Sequence, residues 1–252
     1  ALIDGDKVGG TCLHRGCIPT KAYLHAAETA EAVRESAKFG VNSTFNGIDM
    51  AQVGAYRDSV ISGLYKGLQG LLKSRKVDLI SGWGHLADAN TIEVGGQRIT
   101  GRNIVLATGS YSRSIPGLDI GGRIISSDQA LQMNWVPSSV VILGGGVIGL
   151  EFASVWRSFG AEVTIIEALP HLANNEDEAI SKQLERAYRK RGIKFHTNTR
   201  FASATQSEQG VHITTEDGKA FDADVLLVAV GRGPVTEGLG YEQVGITLER
   251  GF

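Results

Sequence analysis

The stretch "VVILGGGVIGLEFASVWRSFG" (Val140–Gly160) reads as an apolar strand, a glycine turn and an amphipathic helix in immediate succession. Val140–Leu143 is a continuous apolar run, of the kind a strand buried on both faces requires. Ile148–Phe159 carries apolar residues at helical spacing and is closed by Gly160, while Val163–Ile166 supplies a second strand. The turn fits G-x-G-x-x-G. Glycine-rich hexamers are common, and a turn without a ligand is the plain alternative, but the strand before it and the helix after it are what a dinucleotide site demands. Gly144 permits the tight turn, Gly146 lets a pyrophosphate approach the backbone, and Gly149 lets helix and strand pack closely. Val147 and Ile148 then stand at a helix N-terminus whose partial positive charge faces phosphate. Glu167 ends the next strand, where an acid would accept hydrogen bonds from an adenosine ribose. It would repel a 2′-phosphate, and Ala168, Leu169 and Pro170 bring no cation to receive one. The expectation is NAD rather than NADP.

The remainder of this half continues the α/β alternation. Glu178–Arg191 forms a helix ending at Gly192. A β-meander follows with "EDGK" (Glu216–Lys219) at its turn, and Val225–Val230 is a buried strand ending in Gly231. The pattern resets near Val136-Pro137. Residues 119–252 are therefore read as one dinucleotide-binding domain, with 119–136 connecting it to a first domain over residues 1–118.

Composition narrows the classes. The chain has 252 residues, 25 basic and 27 acidic, for a net charge of −2, which argues against a nucleic-acid surface. No apolar stretch approaches the ~18 residues of a membrane helix. The 33 glycines fall at turns between short strands rather than in a repeat. The chain opens on "ALIDGD" with a strand already under way and stops at "LERGF"; both ends read as cut.

In the first domain, Asp4 closes a short apolar strand, where a ribose-binding acid belongs, although an acid there is by itself more often a solvated turn residue. A helix is expected from Pro19 to about Lys38. A second, capped by Asp49, carries the stripe Val53, Tyr56, Val60, Leu64, Leu68, Leu71 and Leu72. Val77–Ile80, Thr91–Val94 and Asn103–Ala107 read as strands, with Gly95-Gly96 as a hairpin turn. "VLATGS" (Val105–Ser110) reads as a buried strand ending in Thr108-Gly109, a shape that lets the backbone pass close to a ligand.

The only cysteines, Cys12 and Cys17, flank "LHRG". A metal site would need more ligands than these and His14. A structural disulfide suits an oxidising compartment, and two inert buried thiols are the plain alternative. The fourth reading is a redox-active dithiol. Residues at i and i+5 of a regular helix lie about 8.6 Å apart at Cα, beyond the ~6.8 Å a disulfide spans. A bridge here would need an irregular backbone, which Gly16 could supply. Pro19 suits a helix first turn, and Cys17 near that N-terminus and Lys21 would have its thiolate stabilised.

"GGTCLHRGCIPTK" (Gly9–Lys21) resembles the redox motif of the flavin-dependent pyridine nucleotide–disulfide oxidoreductases, and its filling is most similar to the bacterial branch that oxidises dihydrolipoamide. "VILGGGVIGLEFAS" (Val141–Ser154) and "LLVAVGRGP" (Leu226–Pro234) are similar to that family's NAD-domain motifs. The resemblance implies two Rossmann-like dinucleotide-binding domains of an FAD/NAD(P)-binding α/β fold, the first incomplete because its phosphate loop is missing. The downstream flavin-contacting Gly-Asp motif is absent too, as is the C-terminal dimerisation domain with its His-Pro-Thr-x-x-Glu base. It implies that Cys12 is the interchange thiol and Cys17 the thiol facing the flavin, with Lys21 beside the flavin and paired to Glu151. Asp4, Gly10, Thr11, Lys21, Gly84, His85, Thr108 and Gly109 would border FAD. Gly144, Gly146, Val147, Ile148, Gly149, Glu167 and Gly231 would line the NAD site. The parent would be a cytoplasmic homodimer working on a lipoyl-bearing acyltransferase of a 2-oxoacid dehydrogenase complex. A sibling reductase of glutathione or mercuric type, and a non-catalytic NAD-binding module, remain as alternatives. His171 and Glu176 share the spacing of the base motif, but Leu172 stands where Pro belongs, and the match is read as coincidence.

Overall fold

The computed structural model describes residues 1–252, which group into two compact units, each discontinuous in sequence. Six α-helices occur: α1 (Gly10–Arg15), α2 (Cys17–Glu35), α3 (Met50–Ser74), α4 (Ser127–Ala130), α5 (Val147–Phe159) and α6 (Glu178–Lys190).

One unit comprises residues 15–60 and 112–231. Its centre is a five-stranded parallel sheet in the order Lys194–His196, Glu162–Ile166, Ser139–Leu143, Val225–Val228, Ile124–Ile125. The central strands are the uninterrupted apolar runs that two-sided burial requires; Val140 to Leu143 and Val225 to Val228 are all buried. Helix α5 crosses from Ser139–Leu143 to Glu162–Ile166 and buries Phe152, Ala153, Val155, Trp156 and Phe159. Gly160 ends it in the left-handed conformation at φ 112°, open to glycine at little cost. Asp177 caps α6 through the Ala179 amide at 2.8 Å. The Tyr188 hydroxyl pins α6 to α5 by donating to the Leu150 carbonyl at 2.9 Å, and burial pushes its pKa up to about 12. Phe201–Gln206, Val211–Thr215 and Ala220–Ala223 form the expected antiparallel meander.

The other unit comprises residues 1–14, 61–111 and 232–252. Leu2–Asp4 pairs in parallel with Leu79–Ser81, and Gly84–Asp88, Thr91–Val94 and Gln97–Thr100 form an antiparallel sheet. Gly95 and Gly96 turn its hairpin at φ 55° and 79°, both positive as a type I′ turn demands.

Some elements differ from expectation. The strands expected at Asn103–Ala107 and Val105–Ser110 do not form over residues 103–109; Val105 is 87% and Leu106 39% exposed. A strand exists only through a ladder partner, and the parallel sheet of this unit holds two strands, neither of which pairs with this segment. The apolar stripe expected on α3 does lie on a helix, with Val53, Val60, Leu68 and Leu72 half-buried and Tyr56, Leu64 and Leu71 exposed. Helix α4 lies outside the expected elements. Ser126 and Gln129 make a reciprocal capping box at its start.

Candidate functional site

The glycine turn has the geometry its residue types imply. Gly144 leaves the strand at φ 111°, and a Cβ there would run into the Ala229 carbonyl oxygen. A Cβ on Gly149 would meet the Gly144 carbonyl oxygen, so the first turn of α5 packs directly on the strand end. Gly146 is different: it is exposed, caps the start of α5 at φ −78°, and has nothing within 4 Å of a built Cβ. The loop is therefore tight where it touches its own sheet and open where a ligand would approach. The first amides of a helix lack intrahelical partners, and exposed Gly146 and Val147 and half-buried Ile148 present them at this opening.

Glu167 follows the adjacent strand, and its carboxylate turns back onto the loop. Oε2 accepts from the Gly145 amide at 2.5 Å and Oε1 from the Leu169 amide at 2.7 Å. Gly231, at φ 112°, ends the segment after Val225–Val228. These residues fit a dinucleotide: a cradle free of Cβ atoms, helix amides for phosphate, and an acid for ribose hydroxyls.

Helices α2 and α5 bring the cysteine motif's continuation to the same unit. The helical run starting at Gly10 breaks at Gly16, whose φ and ψ are −136° and −112°, and α2 begins with exposed Cys17. Thr20 secures this start by donating through its hydroxyl to the Gly16 carbonyl at 2.7 Å. One turn on, Lys21 Nζ meets Glu151 Oε1 of α5 at 2.5 Å. The two helices are held along their length by Tyr23 and Ala27, buried with Phe152 and Trp156 in one core. At the far end Glu31 accepts from Ser158 and from Arg191, each at 2.6 Å. Burial works against the Glu31 carboxylate, yet the hydrogen bonds from Ser158 and Arg191 prevail and hold its pKa below the usual range. The Lys21–Glu151 pair is partly solvated, with 57% and 21% of the side chains exposed. An exposed pair contributes about 0–1 kcal/mol. Lys21→Met is accordingly expected to shift the thermal midpoint by less than about 4 °C in calorimetry.

The remaining candidates lie in the other unit. Asp4 ends its strand with Oδ1 accepting from the Asp6 amide at 2.9 Å. Gly84 opens the neighbouring hairpin, His85 pairs with Glu93 at 3.3 Å, and Thr108 donates to the Val235 carbonyl at 2.6 Å beside the Tyr241 hydroxyl at 2.9 Å. Gly10 and Gly109 take φ 57° and 82° with no atom within 4 Å of a built Cβ, so both leave backbone open to a ligand, as a flavin dinucleotide would need. Thr11 and exposed Cys12 lie on α1. His14 ties that helix to the preceding loop through Nε2 and the Val8 carbonyl at 3.0 Å. His171 contacts Glu185 and Glu178 rather than Glu176. Arg57 is buried and hydrogen-bonded to the Tyr23 hydroxyl and the Leu131 carbonyl. A lone arginine on a helix gives no signal of this in the sequence.

A family model described as pyridine nucleotide-disulphide oxidoreductase matches residues 1–252. Mitochondrial dihydrolipoyl dehydrogenase of Dictyostelium discoideum is 39% identical over 97% of the chain and 53% of its own length. Dihydrolipoyl dehydrogenase of Bacillus subtilis is 35% identical over 100% of the chain and 57% of its own length. Among solved structures, LpdA from Mycobacterium tuberculosis superposes with a TM-score of 0.87 at 29% identity, over 99% of this chain and 56% of that one. The HOCl-induced flavoprotein disulfide reductase RclA from Escherichia coli gives 0.83 at 28% identity, over 99% and 55%. The chain thus spans about half the length of the proteins it matches.

Proposed function

The chain belongs to the pyridine nucleotide-disulphide oxidoreductase family, and from that premise we propose that it forms the dithiol and nucleotide-binding part of a dihydrolipoyl dehydrogenase. The observation that carries the proposal is the packing of α2, headed by Cys17, against α5, headed by the glycine loop, with Lys21 and Glu151 joined between them.

In this reading the reaction takes two electrons and two protons from dihydrolipoamide and delivers a hydride to NAD and one proton to solvent. A substrate thiolate attacks Cys12 of the oxidised pair, the Cys12–Cys17 bond breaks, and Cys17 leaves as thiolate. The second substrate thiolate then displaces Cys12, closing the lipoyl disulfide. The N-terminus of α2 stabilises the Cys17 thiolate. FAD, when bound beside Asp4, Gly10, Thr11, Lys21, Gly84, His85, Thr108 and Gly109, supplies the two-electron relay between dithiol and nicotinamide. On the nucleotide side, the amides of residues 146–148 bind pyrophosphate and Glu167 accepts from the adenosine ribose. A lipoyl-bearing acyltransferase of a 2-oxoacid dehydrogenase complex as partner, a homodimeric state and a cytoplasmic location belong to the same proposal. No helix is long and apolar enough to cross a membrane.

The likeness to RclA favours a second reading, a disulfide reductase running in the opposite direction. Steady-state assays with dihydrolipoamide and NAD against glutathione disulfide and NADPH distinguish the two, and turnover of the glutathione couple alone would overturn the first. Glu167 sharpens this. Its carboxylate, which no lysine or arginine neutralises, would face the 2′-phosphate of NADP as a like charge. The KM for NADP is expected to exceed that for NAD by about a hundredfold or more, measured as initial rates with each nucleotide.

A further inference from the structure

Glu185 sits on α6 with 10% of its side chain exposed, where helix amphipathicity calls for an apolar residue, and nothing in the electron route uses it. Its oxygens reach the segment that follows Glu167. Oε1 accepts from the Leu172 amide at 3.2 Å and lies 3.3 Å from His171 Nδ1. Arg189 approaches Oε2 at 3.6 Å from the next turn of the helix, giving the buried carboxylate a cationic neighbour.

The segment held in this way is the one that grips the glycine loop. The Ala173 amide donates to the Gly145 carbonyl at 2.9 Å. Leu172, fully buried, packs so closely on Gly145 that a Cβ there would come within 2.7 Å of its Cδ2. Ala173 itself is left-handed at φ 51°, a conformation a non-glycine residue keeps only when its surroundings demand it. Gly145 is thus fixed from both sides, by Glu167 at its amide and by Ala173 at its carbonyl. The second of these fixings is braced from α6 by Glu185 at the Leu172 amide and by the Ser181 hydroxyl, which donates to the Ala173 carbonyl at 3.1 Å.

We propose that Glu185 is a positioning residue for the dinucleotide loop. Acting through Leu172 and Ala173, it sets the Gly145 carbonyl, and with it the direction in which the amides of residues 146–148 face a pyrophosphate. The inference rests on the nucleotide reading of that loop and extends it to α6.

Titration calorimetry of the intact protein with ADP-ribose, which carries the adenosine ribose and pyrophosphate and cannot transfer hydride, tests it. Glu185→Leu leaves the Leu172 amide buried without an acceptor and is expected to weaken ADP-ribose binding by about tenfold. Glu185→Gln keeps an acceptor oxygen at the same reach and is expected to stay within about threefold. Flavin reduction by dihydrolipoamide, which does not use the loop, is expected to change by less than about twofold in either variant. Should Glu185→Leu fail to fold, Glu185→Met keeps the side-chain length without the oxygens and carries the same expectation. Equal ADP-ribose affinity in wild type and Glu185→Leu overturns the inference, as does equal weakening by the Gln variant. A wild-type protein that binds no ADP-ribose overturns the nucleotide reading and this inference together.

Discussion

Cys12→Ser and Cys17→Ser are each expected to lower dihydrolipoamide oxidation by at least about a thousandfold, because a serine hydroxyl can neither enter the disulfide nor leave as a stable anion near neutral pH. The two losses are expected not to add, since residues acting as one redox unit fail together. Such an effect needs a control that separates lost chemistry from lost folding. NADH-driven reduction of an artificial dye supplies it, because in the proposed scheme that route would run from nicotinamide through flavin without the dithiol. Both variants are expected to keep dye reduction within about threefold of wild type. Both cysteines are exposed, so the substitution disturbs no core contact, and surface changes of this kind usually stay within about 0.5 kcal/mol. A variant that loses lipoamide turnover and dye reduction in parallel would count against the proposed role.

Parts of this arrangement are legible in the residues, for a physical reason. The strand–turn–helix at Val140–Gly160 is specified locally: a parallel core strand must be apolar throughout, and the turn must omit Cβ atoms where backbone meets backbone. Those requirements leave marks within a short window, and the helix bounds differ from expectation by one residue at its start. Asp49 as a cap is local in the same way, its Oδ1 accepting from the Ala51 and Gln52 amides. The segment Val105–Ser110 shows the limit. It has the apolar composition of a core strand, but strand formation depends on a neighbour elsewhere in the chain, which no local window records. Glu151 shows another limit. On a helical wheel it passes for a solvated residue, and only the packing of α2 on α5 brings it to Lys21 across 130 residues of sequence. Glu185 left no mark at all, because a glutamate on a charged helix reads as surface until the loop it holds is in place.

The glycine loop makes the other large effect separable into two causes. Gly149→Ala would press a methyl group against the Gly144 carbonyl oxygen, and Gly144→Ala would both meet the Ala229 carbonyl and place a Cβ at φ 111°. Backbone atoms at the ends of central strands cannot move aside as a flexible side chain can, so overpacking here is expected to cost about 2–3 kcal/mol or more. For a chain of this size that corresponds to a thermal midpoint lower by roughly 5–10 °C. ADP-ribose affinity is expected to fall by about a hundredfold or more, as α5 is pushed off the strand end and its amides are misdirected. Gly146→Ala isolates the other cause. Its backbone lies at negative φ and its surroundings are empty, so the protein is expected to melt within about 1 °C of wild type. The added methyl would nevertheless occupy the space proposed for a pyrophosphate, and affinity is expected to fall by about tenfold or more. Stability and binding are thus expected to part company along three glycines of one turn: Gly144 and Gly149 would serve the fold first and the ligand through it, whereas Gly146 would serve the proposed ligand alone. A Gly146→Ala protein that melts normally and binds ADP-ribose as wild type does would remove the phosphate from this loop.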